Sequence, residues 1–450
     1  MAAAAVAHLH RATGGAERTR VVLVLACVLG LSSADASTVG ASASELRHAL
    51  HIDNTDIGLL VAASSLVSAF ATLPFGVLAD RIRRTTTLAV AVVLWGGVML
   101  WGATSSTFGD LILTRVFLGA VSAAAGPLVA SLVGDYFDDA DRGRIYGFIL
   151  AGELVGAGFG FAVTGDIAAL SWQAAFVILA LPAFAVAWLV WRLPEPERGA
   201  NRGRAGSEVR ETDAQRLARE SGVDPAETRV PNTPRLGFRD AVRYVLHVRT
   251  NIILIASSAL AYYFLAGVQT FGAEFTKEQY GVNQAEANLV LLVVGVGAVL
   301  GTLAGGNVAD ALLRRGHLTG RVTTASVAAA LTTLLFIPAI FARSALGALP
   351  YLIVAALALS AQNPPIDAAR LDIMPPNLWG RAESVRTLLR SLAQALAPLL
   401  FGAVADYVFG GGRSGLQWTF FVMVVPLAAS AVLLFRARST YPGDVAAAAR

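Results

Sequence analysis

Apolar residues fall along this chain in long unbroken runs, without the alternation of a half-buried strand or the narrow stripe of a soluble helix. A bilayer core of about 30 Å needs about 20 apolar residues in a helix. The runs that reach that length are 21–41, 56–79, 86–104, 110–133, 145–168 and 173–192, then 251–272, 285–308, 322–342, 347–366, 383–407 and 417–436. Twelve membrane-spanning helices are therefore expected, six on each side of a polar stretch, 193–250. The first run has arginines before it and SSADAS after it, as a secretory signal would. Removing it would leave eleven helices and unbalance the two groups, so it is read as a span. Composition agrees with the runs: 55% of the residues are apolar and 15% charged, outside the range of soluble globular chains.

The short polar connections fix an expected orientation. Arg11, Arg18, Arg20, Arg81, Arg83, Arg84, Arg142, Arg144, Arg314, Arg315, Arg321, Arg370, Arg381, Arg436 and Arg438 fall on one side. The other side keeps Arg47, Lys277, Arg343 and Arg413. By the positive-inside rule the first side is cytoplasmic, and both termini lie there. The domains expected are a cytoplasmic tail 1–20, a bundle 21–192, a cytoplasmic linker 193–250, a second bundle 251–436 and a cytoplasmic tail 437–450. The linker mixes acids and arginines, which suits a solvated, partly helical tether and not a nucleic-acid patch. Its end, FRDAVRYVLHVR (238–249), spaces Phe238, Val242, Val245 and Leu246 as a helix lying on the membrane surface would.

The two groups repeat each other. GVLADRIRR (76–84) follows the second run of the first group, and GNVADALLRR (306–315) follows the second run of the second. DRGRIYG (141–147) and LWGRAES (378–384) follow the two fourth runs. Duplicated halves that rock about a midplane site are the architecture of secondary transporters. The expected fold is an all-α integral membrane protein of two pseudo-symmetric six-helix bundles. In the repeated phrases, Gly76 permits close helix approach. Asp80 places a carboxylate where the N-terminal amides of the eleventh helix would attract it, and Asp310 does the same toward the fifth. Gly76, Asp80, Arg81 and Arg84, with Gly306, Asp310, Arg314 and Arg315, are thus a candidate pair of conformational latches.

At this point the chain resembles the major facilitator superfamily. GVLADRIRR is similar to that family's signature between the second and third helices, GNVADALLRR to its second copy, and RVFLG (115–119) to its fourth-helix motif. Arg83 stands where the family has Gly. The resemblance covers nearly the whole chain outside the linker and tails, and implies a secondary active transporter working by alternating access. Asp35, Arg115 and the GDYF at 134–137 resemble the Spinster-like branch, which moves lysophospholipids and sphingolipids. That branch carries a glutamate where this chain has Ser122. GELVGAGFG (152–160) resembles the fifth-helix motif of proton-driven drug antiporters, with Ala157 in place of their proline. These likenesses imply export of an amphipathic molecule, a lysolipid or hydrophobic drug; import, or a non-transporting receptor or scaffold on the same fold, are the alternatives.

Charges inside apolar runs are expensive and mark function. At 1.5 Å per residue Asp35 lies about 21 Å from the cytoplasmic end of its helix, and Arg115 comes to a similar depth. Asp35 and Arg115 are the expected proton-coupling pair, with Glu153, about 12 Å in and level with Arg390, as the runner-up. Tyr262, Gln269, Gln362, Asn363, Arg386 and Arg390 are candidates for a substrate cavity. Gly152, Gly156 and Gly160, like Gly297, Gly301 and Gly305, recur every four residues, which signals helix packing and not a nucleotide loop. Cys27 is the only cysteine, and His48 and His51 lack further ligands, so no metal site, cofactor or enzyme activity is expected. No Walker loop is present, so a proton gradient is the expected drive. The partners expected are a small-molecule or lipid substrate, protons and membrane lipids, with no nucleic acid, for a monomer in the plasma membrane.

Overall fold

The computed structural model describes residues 15–79, 82–137, 145, 148–149, 152–153, 155–197, 212–226, 243–374 and 379–449. Among them there is no strand. The spans are α1 (Ala16–Ala41), α2 (Asn54–Ala79), α3 (Arg84–Ala103), α4 (Phe108–Ser122, resuming as Ala125–Tyr136), α5 (155–168) and α6 (Trp172–Trp191). They continue with α7 (Arg249–Tyr280), α8 (Gln284–Arg314), α9 (Gly320–Phe341), α10 (Ala345–Ala361, resuming as Asn363–Asp372), α11 (Trp379–Ala403) and α12 (Gly412–Ala448). Eleven of these segments are long and apolar enough to cross a membrane. The fifth expected run, 145–168, falls partly outside the described residues.

Local chemistry sets the ends. Thr107, Ser171 and Ser344 cap α4, α6 and α10, each accepting from a backbone N–H three residues on, at 3.1, 3.3 and 3.2 Å. Gly281, at φ 67°, stops α7 in the left-handed region that favours glycine. Asn363-Pro364-Pro365 breaks α10 at Gln362, because proline removes the donors a continuous helix would need. Leu94, Leu181, Trp188, Leu303 and Leu334 are each more than half exposed, as side chains facing hydrocarbon must be.

The chain divides into two units. The first is Met1–Gly206 with Gln269–Glu274 and Asn283–Asn288; the second is Ser207–Val268, Phe275–Val282 and Leu289–Arg450. In the first, α3 packs on α6 and α2 on α4. Its α1 meets α5 so closely that a Cβ on Gly156 would stand 2.0 Å from the Gly30 carbonyl oxygen. In the second, α9 packs on α12 and α10. There a Cβ on Gly301 would stand 2.0 Å from the Leu357 carbonyl oxygen, so the four-residue glycine spacing serves close helix packing, as expected.

Two regions expected to lie outside the bundles, the linker and the C-terminal tail, are built into the second unit. Residues 437–448, expected as a tail, continue α12, because Tyr441 and Val445 are fully buried and Asp444 accepts from the Thr250 N–H at 3.0 Å. The linker contributes a helix, Asp213–Glu220, opened by a Thr212/Gln215 capping box. Ala214 and Ala218 of that helix sit in a core with Tyr244, Val245, Leu434 and Tyr441. Phe238 and Val242 lie outside the described residues; Val245 is buried and Leu246 is 41% exposed.

Candidate functional site

In the first unit α1 and α4 bring Asp35 and Arg115 together. Arg115 Nη1 donates to Asp35 Oδ1 at 3.0 Å, as the equal depths of the two residues predict. The guanidinium is 2% exposed, lies 4.7 Å over the Phe176 ring and reaches the Met99 sulfur at 3.7 Å. Its buried Nε has no hydrogen-bond partner. One turn past Asp35, Thr38 and Thr164 share a hydrogen bond of 2.9 Å where α5 widens into a π-turn at Gly160–Thr164. Ser122 lines a cavity of about 20 Å³ with Ser32 and Trp95, room for about one water. Glu153 is half-buried and has an interaction partner.

The second unit treats its intramembrane cations differently. Arg386 Nη1 donates to Asp367 Oδ1 at 2.5 Å, tying α11 to the second half of α10. Arg390, one turn further, rests 4.5 Å over the Tyr262 ring, and its buried Nε has no hydrogen-bond partner. A desolvated cation–π contact contributes about 2 kcal/mol, against several kcal/mol for removing an ion from water. Arg386 is therefore compensated and Arg390 is not. Gln362 is fully buried, donates to the Leu359 carbonyl at 3.0 Å and leaves its Oε1 without a partner, whereas Asn363 begins the resumed helix. Gln269 is exposed and belongs to the first unit, where its carbonyl oxygen would be 2.5 Å from a Cβ on Gly40.

The repeated phrases lie at the arginine-rich ends. Gly76 is within α2, and Asp80 and Arg81 are outside the described residues. Arg84 is 1% exposed and meets the Asp135 carboxylate, Ser131 and the Pro196 carbonyl, while its Nε donates to Glu195 Oε1 at 2.9 Å. Glu195 also accepts from the backbone N–H groups of Arg84 and Thr85 at 3.1 and 2.9 Å, closing the open end of α3. Burial opposes ionisation of Glu195, but the hydrogen bonds from Thr85 and Arg84 outweigh it and hold its carboxyl below the usual range.

In the second copy Arg314 and Arg315 are exposed, and the arginine that joins Asp310, at 3.3 Å, is Arg321. Arg321 also pairs with the fully buried Asp372, which accepts from the Tyr441 hydroxyl on the same oxygen. Gly306 has only ordinary contact, 3.5 Å from a built Cβ to Pro364. Glu195, Asp367, Asp372 and Tyr441 went unnoticed in the sequence, and Asp135 entered only as part of GDYF, without a partner assigned to it. Their signal is an acid or tyrosine within a few residues of the end of an apolar run.

A sequence profile of the Major Facilitator Superfamily matches residues 25–355 and 254–450. The chain belongs to that family. As a major facilitator protein it is a multi-pass membrane transporter and not an enzyme. It is 22% identical over 402 residues to the hexuronate transporter of Bacillus subtilis (strain 168), covering 87% of this chain and 88% of that one. It is 30% identical over 197 residues to the 4-hydroxybenzoate transporter PcaK of Pseudomonas putida, covering 43% of this chain and 44% of the relative. It is 26% identical over 184 residues to the protein spinster of Drosophila melanogaster, covering 40% and 30%. Among solved structures it matches a bacterial homolog of the human lysosomal transporter Spinster with a TM-score of 0.78 at 20% identity, over 95% of this chain and 98% of that one. That match carries the fold, and with the spinster relatives it bears out the Spinster-like resemblance. Within this major facilitator fold, Asp35 and Arg115 form an acid–base pair between two membrane-spanning helices.

Proposed function

We propose that this major facilitator protein is a proton-coupled secondary active transporter that exports an amphipathic small molecule by alternating access. The observation that carries the proposal is the Asp35–Arg115 pair, buried in a membrane-spanning bundle at 3.0 Å with its guanidinium only partly satisfied. Protonation of Asp35 removes the counter-charge and frees Arg115 for another partner, which gives the two protonation states different interaction energies and so different preferred conformations. One proton moving down about 100 mV and one pH unit releases roughly 2.3 plus 1.4 kcal/mol, enough for a concentration ratio of several hundred. Coupling through a single acid suffices. The repeated phrases act as latches that release and re-form between the two conformations. By the positive-inside rule the arginine-rich ends face the cytoplasm of a cell bounded by the plasma membrane. The relatives named for hexuronate and 4-hydroxybenzoate support an acidic group on the transported molecule.

The test is reconstitution into proteoliposomes with an imposed pH gradient. Asp35→Asn should abolish uphill transport and the accompanying proton uptake while leaving substrate exchange measurable. If Asp35→Asn still couples and Glu153→Gln does not, the acid is Glu153. If both still couple, the drive does not pass through these carboxylates. The sign of the response to the gradient separates export from import.

A further inference from the structure

Arg386 and Arg390 sit one turn apart on α11, so the same helix offers a paired and an unpaired guanidinium for comparison. Arg386 has the Asp367 carboxylate at 2.5 Å. Arg390 has the face of Tyr262 at 4.5 Å, and no carboxylate among the described residues. Its Nε is buried and makes no hydrogen bond among the described residues. A cation held in a membrane-spanning segment without a counter-ion is costly and marks a place where an anion completes the arrangement.

The surroundings hold this pair in position. Phe401, further along α11, packs on Tyr263 and Phe264 of α7 with ring centroids 5.8 and 6.4 Å apart. The Phe401 ring enters a space open only because residue 267 is glycine, where a Cβ would stand 2.3 Å from it. α7 and α11 are therefore locked together close to Tyr262. The Tyr263 hydroxyl is turned aside to the Met423 sulfur at 3.4 Å, which leaves Tyr262 as the tyrosine presented to Arg390. A guanidinium held over a ring face by a cation–π contact does not use its N–H donors on a counter-ion, and two parallel donors match the two oxygens of a carboxylate or phosphate.

We propose that Arg390, seated on Tyr262, is the subsite that binds the oxyanion of the transported molecule, a carboxylate or a phosphate, while Arg386 only holds α11 to α10. This rests on the reading of the chain as a carrier, and it gives the substrate its charge. Arg390 and Tyr262 contact the substrate; Gly267 and Phe401 position them.

Binding is measured on the purified full chain in phosphatidylcholine nanodiscs, with decanoate, decyl phosphate and uncharged decanamide as probes. The wild type should bind at least one of the two anions at least tenfold more tightly than decanamide. Arg390→Gln should erase that preference, Arg390→Lys should restore part of it because the charge returns without the planar fork, and Tyr262→Phe should weaken it by a few-fold. Anion preference that survives in Arg390→Gln, or a wild type that treats all three probes alike, overturns the proposal. Repeating the titration with phosphatidylglycerol in the nanodisc separates two sources of the oxyanion: loss of decanoate binding assigns the subsite to a bilayer lipid headgroup, and unchanged binding assigns it to a dissolved anion. Because the measurement is an equilibrium without a gradient, its failure is distinct from that of the carrier reading. Arg390-dependent binding in a protein that shows no counterflow in proteoliposomes would leave the site standing and remove the transport.

Discussion

The two arginine-rich ends solve the same problem with different parts. In the first unit Arg84 opens α3, and in the second Arg321 opens α9; each is drawn to an acid at the end of the following helix, Asp135 or Asp372. What differs is the third member. Glu195, just past α6, both pairs with Arg84 and caps α3. In the second unit those tasks are divided: the Tyr441 hydroxyl supports Asp372, and Asp444 closes the start of a different helix, α7. Concentrating several roles on one ion cluster makes the first unit sensitive to a single loss, whereas the second has supports that fail separately.

That contrast orders three predictions. Arg84→Gln should have the largest effect, about 3–5 kcal/mol, because it removes the cation shared by Asp135 and Glu195 and leaves two acids close together in a largely buried place. Thermal unfolding of the detergent-solubilised protein, followed by its monodisperse fraction, should show it. Arg321→Gln should cost less, about 2–3 kcal/mol, since Tyr441 still donates to Asp372. An equal or larger loss in Arg321→Gln would remove the contrast between the units.

The third and smallest effect is a pH dependence confined to the first unit. Glu195 is held below the carboxylate range in the folded protein, so its contribution is complete above the unfolded value of about 4.3 and is lost as the pH falls through the lower folded value. The stability difference between wild type and Glu195→Gln should be constant from pH 7 to 5 and shrink below about 4, by roughly 1 kcal/mol in all. A difference that grows in acid would show that Glu195 is not the anion closing α3.

Much of this was readable in the chain. Spans are set by the length of apolar runs, and a four-residue spacing of glycines survives any detail of packing, so close packing by α5 and α8 could be foreseen, although the partners α1 and α10 could not. Asp35 and Arg115 could be matched because depth along a straight helix is arithmetic. Arg321 could not be foreseen as the working arginine of the second copy. Alignment of the phrases points to Arg314 and Arg315, but RRGHLTG adds residues before α9, and the role passes to the first arginine inside the next helix. The end of α12 was hidden for a related reason: after Arg436 and Arg438 the sequence turns polar, and only the linker helix shows why Tyr441 and Val445 are covered. Arg386 and Arg390 look equivalent in sequence, because the residue that distinguishes them, Asp367, lies across a proline break in α10.

The bond from the Thr250 N–H to Asp444 has a meaning for biogenesis. Its partners are 194 positions apart, one at the start of α7 and the other near the end of α12. A ribosome making the chain from its N-terminus delivers α7 to the membrane long before Asp444 exists. The opening turn of α7 must therefore wait, uncapped, while five more helices are inserted, and the last of them returns to close it. Completion of the second unit is thus tied to synthesis of the far end of α12, and a product interrupted within α12 would leave the Thr250 N–H without this partner.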